Sequence, residues 1–197
     1  MSRLPQIAPD QANPQQAKLF AAVTSKLGRV PNLLRALGNS TAALRGYLDF
    51  SGALGVGSGL DAKQREIVAL AVAQANGCEY CLAAHSTIGK MVGLSPEAIE
   101  AARRADGLDE SARAVARFAD AVVNSRGRVS EEQLKAFRVA GFNDEAITEV
   151  VAHVALNVFT NYFNNLAETD VDFPAATPLA TEVSEAAACP TAFGCTA

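Results

Sequence analysis

The stretch Asp61 to Met91, "DAKQREIVALAVAQANGCEYCLAAHSTIGKM", decides how this chain folds. Asp61 followed by Gln64 is a capping-box pattern, which opens a helix by satisfying its first free amides. The centre of that helix, "IVALAVA" from Ile67 to Ala73, is apolar on every side and therefore belongs deep inside the molecule. Asn76-Gly77 then supplies a tight break, because glycine accepts the left-handed backbone on which helices end. A second helix begins at or near Cys78 and continues to about Met91. The expected unit is a helical hairpin with Cys78 and Cys81 at the N-terminal end of its second arm.

The same signals recur on both sides of this hairpin. An opening helix is expected from Asp10 to Leu27, with Asn13-Pro14 near its start, and "GRVPNLLRAL" turns the chain into a short second one. Ser40 to Leu54 reads as another, ending where the glycines of "GALGVGSG" can no longer sustain a helix. Downstream, Ser95-Pro96, Asp109, and Ser130 with Gln133 are start signals, and Gly141 is a stop. The longest helix is expected from Asn143 to about Glu168, with Ile147, Val150, Val151, Val154 and Val158 on its apolar stripe. No segment alternates as a strand would. The expectation is an all-α, single-domain helical bundle over residues 1–174. After "DVDFP" the composition shifts to Ala, Thr, Pro, Ser and Glu, which reads as a flexible C-terminal tail over 175–197.

A length of 197 residues with 49% hydrophobic content supports one substantial core and no second domain. The net charge of −4, with basic residues scattered through amphipathic segments, argues against nucleic acid as a partner. No run approaches the roughly 20 apolar residues of a membrane span, and the first residues hold no signal-type apolar stretch. A soluble, cytoplasmic protein is expected. Four cysteines are too few for a disulfide-stapled scaffold, so a close pair in a reducing compartment points to catalysis or metal binding.

On a helix, Cys78 and Cys81 stand three apart and Cys81 and His85 four apart, so all three share one face. A thiol near a helix N-terminus feels the positive end of the dipole, which favours the thiolate, and a neighbouring imidazole can take or return a proton. Such a thiolate can attack a peroxide oxygen, and a partner thiol one turn away can condense with the sulfenic acid to a disulfide. Glu66, at the edge of the apolar run, can be brought back beside the second arm by the hairpin. Burial disfavours the charged form of a carboxyl group, so that position suits a proton relay of Glu66, His85 and a thiol. His153, Asn157, Thr160, Asn161 and Asn164 form a polar stripe on the last helix, which must face either another subunit or the site cavity.

Glu66, eleven intervening residues, Cys78-Glu79-Tyr80-Cys81, three more and His85 resemble the motif of the carboxymuconolactone decarboxylase and alkylhydroperoxidase D-like superfamily. "NVFTNYFNNLAETDVDFP", from Asn157 to Pro174, is similar to the end of its peroxidase-related branch. The resemblance runs from Leu4 to Pro174. It implies an all-α homo-oligomer with active sites near subunit contacts. It further implies Cys81 as the peroxide-attacking thiol, Cys78 as the resolving thiol, and His85 with Glu66 as the proton relay. Where alkylhydroperoxidase D members carry a second histidine just before the second cysteine, this chain has Tyr80. The decarboxylase branch generally lacks the redox pair, so both cysteines together imply thiol chemistry.

The function expected is thiol-dependent reduction of hydrogen peroxide or a small organic hydroperoxide, with an external dithiol as reductant. No cofactor is expected, because no nucleotide fingerprint is present. Two other readings stand beside it: a cofactor-free lyase acting on a small lactone acid, and a non-enzymatic module in which Cys78, Cys81 and His85 hold zinc. Tyr80 reads either as a substrate-facing phenol or as a packed ring. Cys189 and Cys195, in "CPTAFGC", read as incidental thiols of the tail.

Overall fold

In a computed structural model that describes residues 2–179, nine α-helices follow one another with no strand among the described residues. They are α1 (Pro14–Leu27), α2 (Asn32–Leu37), α3 (Thr41–Leu54), α4 (Ala62–Ala75), α5 (Glu79–Met91), α6 (Pro96–Arg103), α7 (Glu110–Ser125), α8 (Glu131–Val139) and α9 (Asp144–Ala167). The all-α expectation holds. None of these helices is long and apolar enough to cross a membrane.

Most helix starts follow the cap residues seen in the sequence. Asp61 with Gln64 and Ser130 with Gln133 form reciprocal capping boxes, and Ser40, Ser95, Asp109 and Asn143 each accept a first-turn amide. The first helix is a correction: Pro9–Gln11 is a separate 3-10 turn, and α1 begins only at Pro14. Proline keeps the preceding Asn13 extended, with ψ at 167°, and the Asn13 side chain then caps the amides of Gln15 and Gln16.

Helix α4 is the centre of the molecule, packed between α5, α6, α7 and α9. Every residue from Ile67 to Ala73 is buried, as an all-round apolar helix requires. One apolar cluster joins α4, α6, α7, α8 and α9 and includes the stacked rings Phe118, Phe137 and Phe142. A second cluster, built from α1, α2 and α3, closes over the start of α5 and takes in Cys78, Tyr80 and Cys81. The cysteine pair therefore sits inside an apolar layer.

After α9 the chain runs back in extended form across these helices. Asp172 accepts from the backbone amide of Asn32 and from Arg29, and Phe173 packs edge-on against Tyr80. Of the tail expected from Ala175 onward, residues 175–179 are described: Ala176 lies against the second cluster, and the Thr177 carbonyl accepts from the buried Arg103. Cys189 and Cys195 lie outside the described residues.

Candidate active site

The hairpin turn places the first cysteine. Gly77 takes φ of +60°, a conformation that costs glycine little, and the chain enters α5 with Cys78 as its N-cap rather than as its first helical residue. The Cys78 Sγ accepts from the Cys81 amide at 3.3 Å, doing what a serine or aspartate cap does elsewhere in this chain. Cys81 then falls in the first turn of α5 and His85 one turn later. The antiparallel return of α4 brings Glu66 beside them, its Oε2 2.8 Å from His85 Nδ1. Glu66 thereby leaves His85 Nε2 as the nitrogen available to a thiol or a substrate.

Cys81, His85 and Glu66 line one cavity of about 180 Å³, together with Arg65, Tyr47 and His153. Cys78 does not line it and is wholly buried behind Cys81. The polar stripe of α9, whose direction the sequence left open, turns inward: His153, Asn157, Thr160, Asn161 and Asn164 are all buried. Asn164 Nδ2 donates to Cys81 Sγ at 3.3 Å, and Asn161 accepts from Asn76, the residue that ends α4. Helix α9 thus supplies a polar wall to a site whose reactive groups all come from α4 and α5.

The electrostatics separate the two thiols. The Cys78 thiol, hydrogen-bonded to Cys81, is the largest cause that brings Cys81 down to about 7. Burial works against this, while the charge of His85 and the amides of Asn164 and Asn161 assist it. The same hydrogen bond, with burial, pushes the Cys78 thiol up. Burial disfavours a charged His85, but the Glu66 carboxylate, by its charge and its hydrogen bond, carries the imidazole above its ordinary value. His153 moves the other way, held low by burial and then by the positive charge of Arg65. The arrangement provides one cavity-lining thiol whose pKa is lowered, one buried thiol whose pKa is raised, and an imidazole locked to a carboxylate.

Tyr80 is a buried ring that also lines the cavity. Its hydroxyl donates to Asp172 Oδ1 at 2.8 Å and accepts from the Leu33 amide at 3.2 Å. The phenol that stands between the cysteines in sequence thus anchors the extended segment after α9. Tyr47 and Arg65 were not singled out from the sequence. Arg65 had a usable signal, being next to Glu66, whereas Tyr47 comes from α3 and only the tertiary fold delivers it. Among the described residues no group of three or more His, Cys, Asp or Glu is placed to hold a metal ion.

Residues 41–121, which span α3 to most of α7 and contain the whole hairpin, match the carboxymuconolactone decarboxylase family. The fold is similar to the alkylhydroperoxidase AhpD core of an uncharacterized peroxidase-related protein from Ralstonia eutropha JMP134. The TM-score is 0.79 at 25% identity, over 87% of this chain and 92% of that one. The central helices of this chain thus match the carboxymuconolactone decarboxylase family, and its fold is the alkylhydroperoxidase D-like one. A second uncharacterized peroxidase-related protein, from Silicibacter sp. TM1040, is similar with a TM-score of 0.75. Its identity is 26%, over 86% of this chain and 91% of that one. The debrominase Bmp8, solved as a cysteine-to-alanine variant with 2,3,4-tribromopyrrole, shares the fold with a TM-score of 0.71 at 21% identity, over 86% of this chain and 91% of that one. No protein of curated function matches the sequence.

Proposed function

We propose that this protein is a thiol-dependent peroxidase that reduces hydrogen peroxide or a small organic hydroperoxide. One observation carries the reading: Cys81 alone of the pair faces the cavity, with its sulfur held by the Asn164 amide and its charge favoured by His85, while Cys78 waits behind it. The Cys81 thiolate attacks the outer peroxide oxygen, the O–O bond breaks, and Cys81 becomes a sulfenic acid. His85, held by Glu66, delivers the proton that the departing hydroxide or alkoxide needs. The Cys78 thiol then displaces water from the sulfenic acid to give the Cys78–Cys81 disulfide, and an external dithiol returns both sulfurs to thiols. Peroxide is reduced, and the external dithiol is finally oxidised.

The reading extends to assembly and compartment. Val151, Phe159, Tyr162 and Leu166 leave an apolar stripe of α9 exposed on the side away from the buried polar one. A homo-oligomer that covers this stripe would set a second chain beside the site-forming helix. The cycle requires a reducing compartment, which fits a cytoplasmic enzyme. The likeness to Bmp8 is one of fold and brings no substrate to this chain.

The test is the count of free thiols after one equivalent of organic hydroperoxide, in reduced protein and in Cys81→Ser. The reading expects rapid loss of both site thiols in the former and none in the latter. Loss no faster than that of a free thiol in both would overturn it and leave the lyase, whose activity would survive replacement of both cysteines.

A further inference from the structure

The wall of the cavity contributed by Arg65 and His153 has no task in the thiol cycle. His153 is 6% exposed and its Nε2 has no hydrogen-bond partner, an expensive state for a buried ring nitrogen unless a ligand meets it. Arg65 is held by a single hydrogen bond, from Nη1 to the Leu60 carbonyl, and has no ion-pair partner among the described residues. The two carboxylates whose charge acts on His153, Glu66 and Glu149, are already engaged. Glu66 is taken by His85, and Glu149 accepts from the amides of Gly59 and Leu60, at 3.1 Å each. A guanidinium with unused donors and a neutral imidazole with an unpaired nitrogen therefore border the space in front of Cys81.

We infer that the substrate is a short hydroperoxide bearing a carboxylate, whose acid group is held by Arg65 and His153 while its peroxide faces Cys81. The guanidinium offers the paired donors that fit a carboxylate, and the His153 Nε2–H supplies a further one in its neutral form. Arg65, His153 and Cys81 line the same cavity of about 180 Å³, a space suited to a short molecule. The chemistry at Cys81 rests on the peroxidase reading, whereas the carboxylate site can be measured without it.

The experiment has two arms. In the first, reduced protein reacts with 4-hydroperoxy-4-methylpentanoate or with its neutral methyl ester, and the rate of thiol loss is followed. The expected result is a preference of about tenfold or more for the acid, as a charge-assisted pair implies. Arg65→Gln should bring the ratio close to one, and Arg65→Lys should keep part of it. In the second arm, the Cys81→Ser protein, which cannot react, is titrated calorimetrically with succinate, and saturable binding should weaken about tenfold in Arg65→Gln and in His153→Phe. Equal rates with both peroxides, together with no succinate binding, would overturn the inference and leave the peroxidase intact. Succinate binding with no thiol loss from any peroxide would keep the carboxylate site and remove the peroxidase. If Arg65→Gln is misfolded, Arg65→Lys and His153→Phe carry the comparison.

Discussion

The Cys81 thiol pKa is lowered by hydrogen bonds from its neighbours and by the charge of His85, and each neighbour makes a separate prediction. With the thiol at about 7, the rate of peroxide-driven thiol loss should rise with pH around that value. In His85→Ala the midpoint moves up, because the imidazolium charge that favours the thiolate is gone; stopped-flow rates across about pH 5 to 9 read this out. The sign for stability is that of any depressed acid. Ionised Cys81 stabilises the reduced fold fully above the ordinary thiol value of 9.0, and the contribution is lost as pH falls through about 7. Asn164→Ala removes one donor to the sulfur and should slow thiol loss at neutral pH by roughly tenfold, the worth of a hydrogen bond to a charged group. Cys78→Ser should still consume one thiol at Cys81 but stop at a sulfenic acid, which a dimedone adduct seen by mass spectrometry would reveal.

The element that matters most is the α4–α5 hairpin, because it holds all four proposed catalytic side chains. Its turn depends on the left-handed backbone at Gly77, where an added Cβ would meet no neighbour yet would still be strained by the backbone angle. Gly77→Ala should therefore cost about 1 kcal/mol by urea denaturation without crowding the core. Leu70→Ala, at a wholly buried position of α4, should cost about 2–5 kcal/mol through the cavity it leaves. A smaller loss at Leu70 than at Gly77 would mean that α4 is not the packed axis of the bundle.

At the scale of the whole molecule, the segment after α9 packs back on α2 and on Tyr80 of α5. Tyr80, Asn32 and Arg29 converge on Asp172 and Phe173, with the Arg29 guanidinium 4.7 Å from the Phe173 ring centre, and the Leu33 amide donates to the Tyr80 hydroxyl. Tyr80→Phe removes the hydroxyl that links Asp172 to α5 and should make cleavage near residues 170–173 faster in limited proteolysis, while the helical far-UV signal is kept. Assembly is decided at the same scale. Tyr162→Glu, on the exposed stripe of α9, should shift the protein to a smaller species in sedimentation velocity if a second copy covers that stripe.

By itself the sequence determined the helical class, the hairpin, most caps and the companionship of Glu66, Cys78, Cys81 and His85. These follow from short-range rules, since helix periodicity, capping and a glycine break act over a few residues and fix which side chains share a face. The start of α1 went astray at Pro14 because proline's restriction on Asn13 outweighed the wider helical pattern. Only the tertiary structure decided which thiol faces the cavity, since Cys78 and Cys81 differ in what packs behind them and not in spacing. It alone turned the polar stripe of α9 inward, put Asn164 on the Cys81 sulfur, sent the Tyr80 phenol to Asp172 and brought Arg65, Tyr47 and His153 to one wall. Those contacts join residues from tens to more than a hundred positions apart, and their geometry is set by how apolar faces of different helices pack, which no local pattern contains.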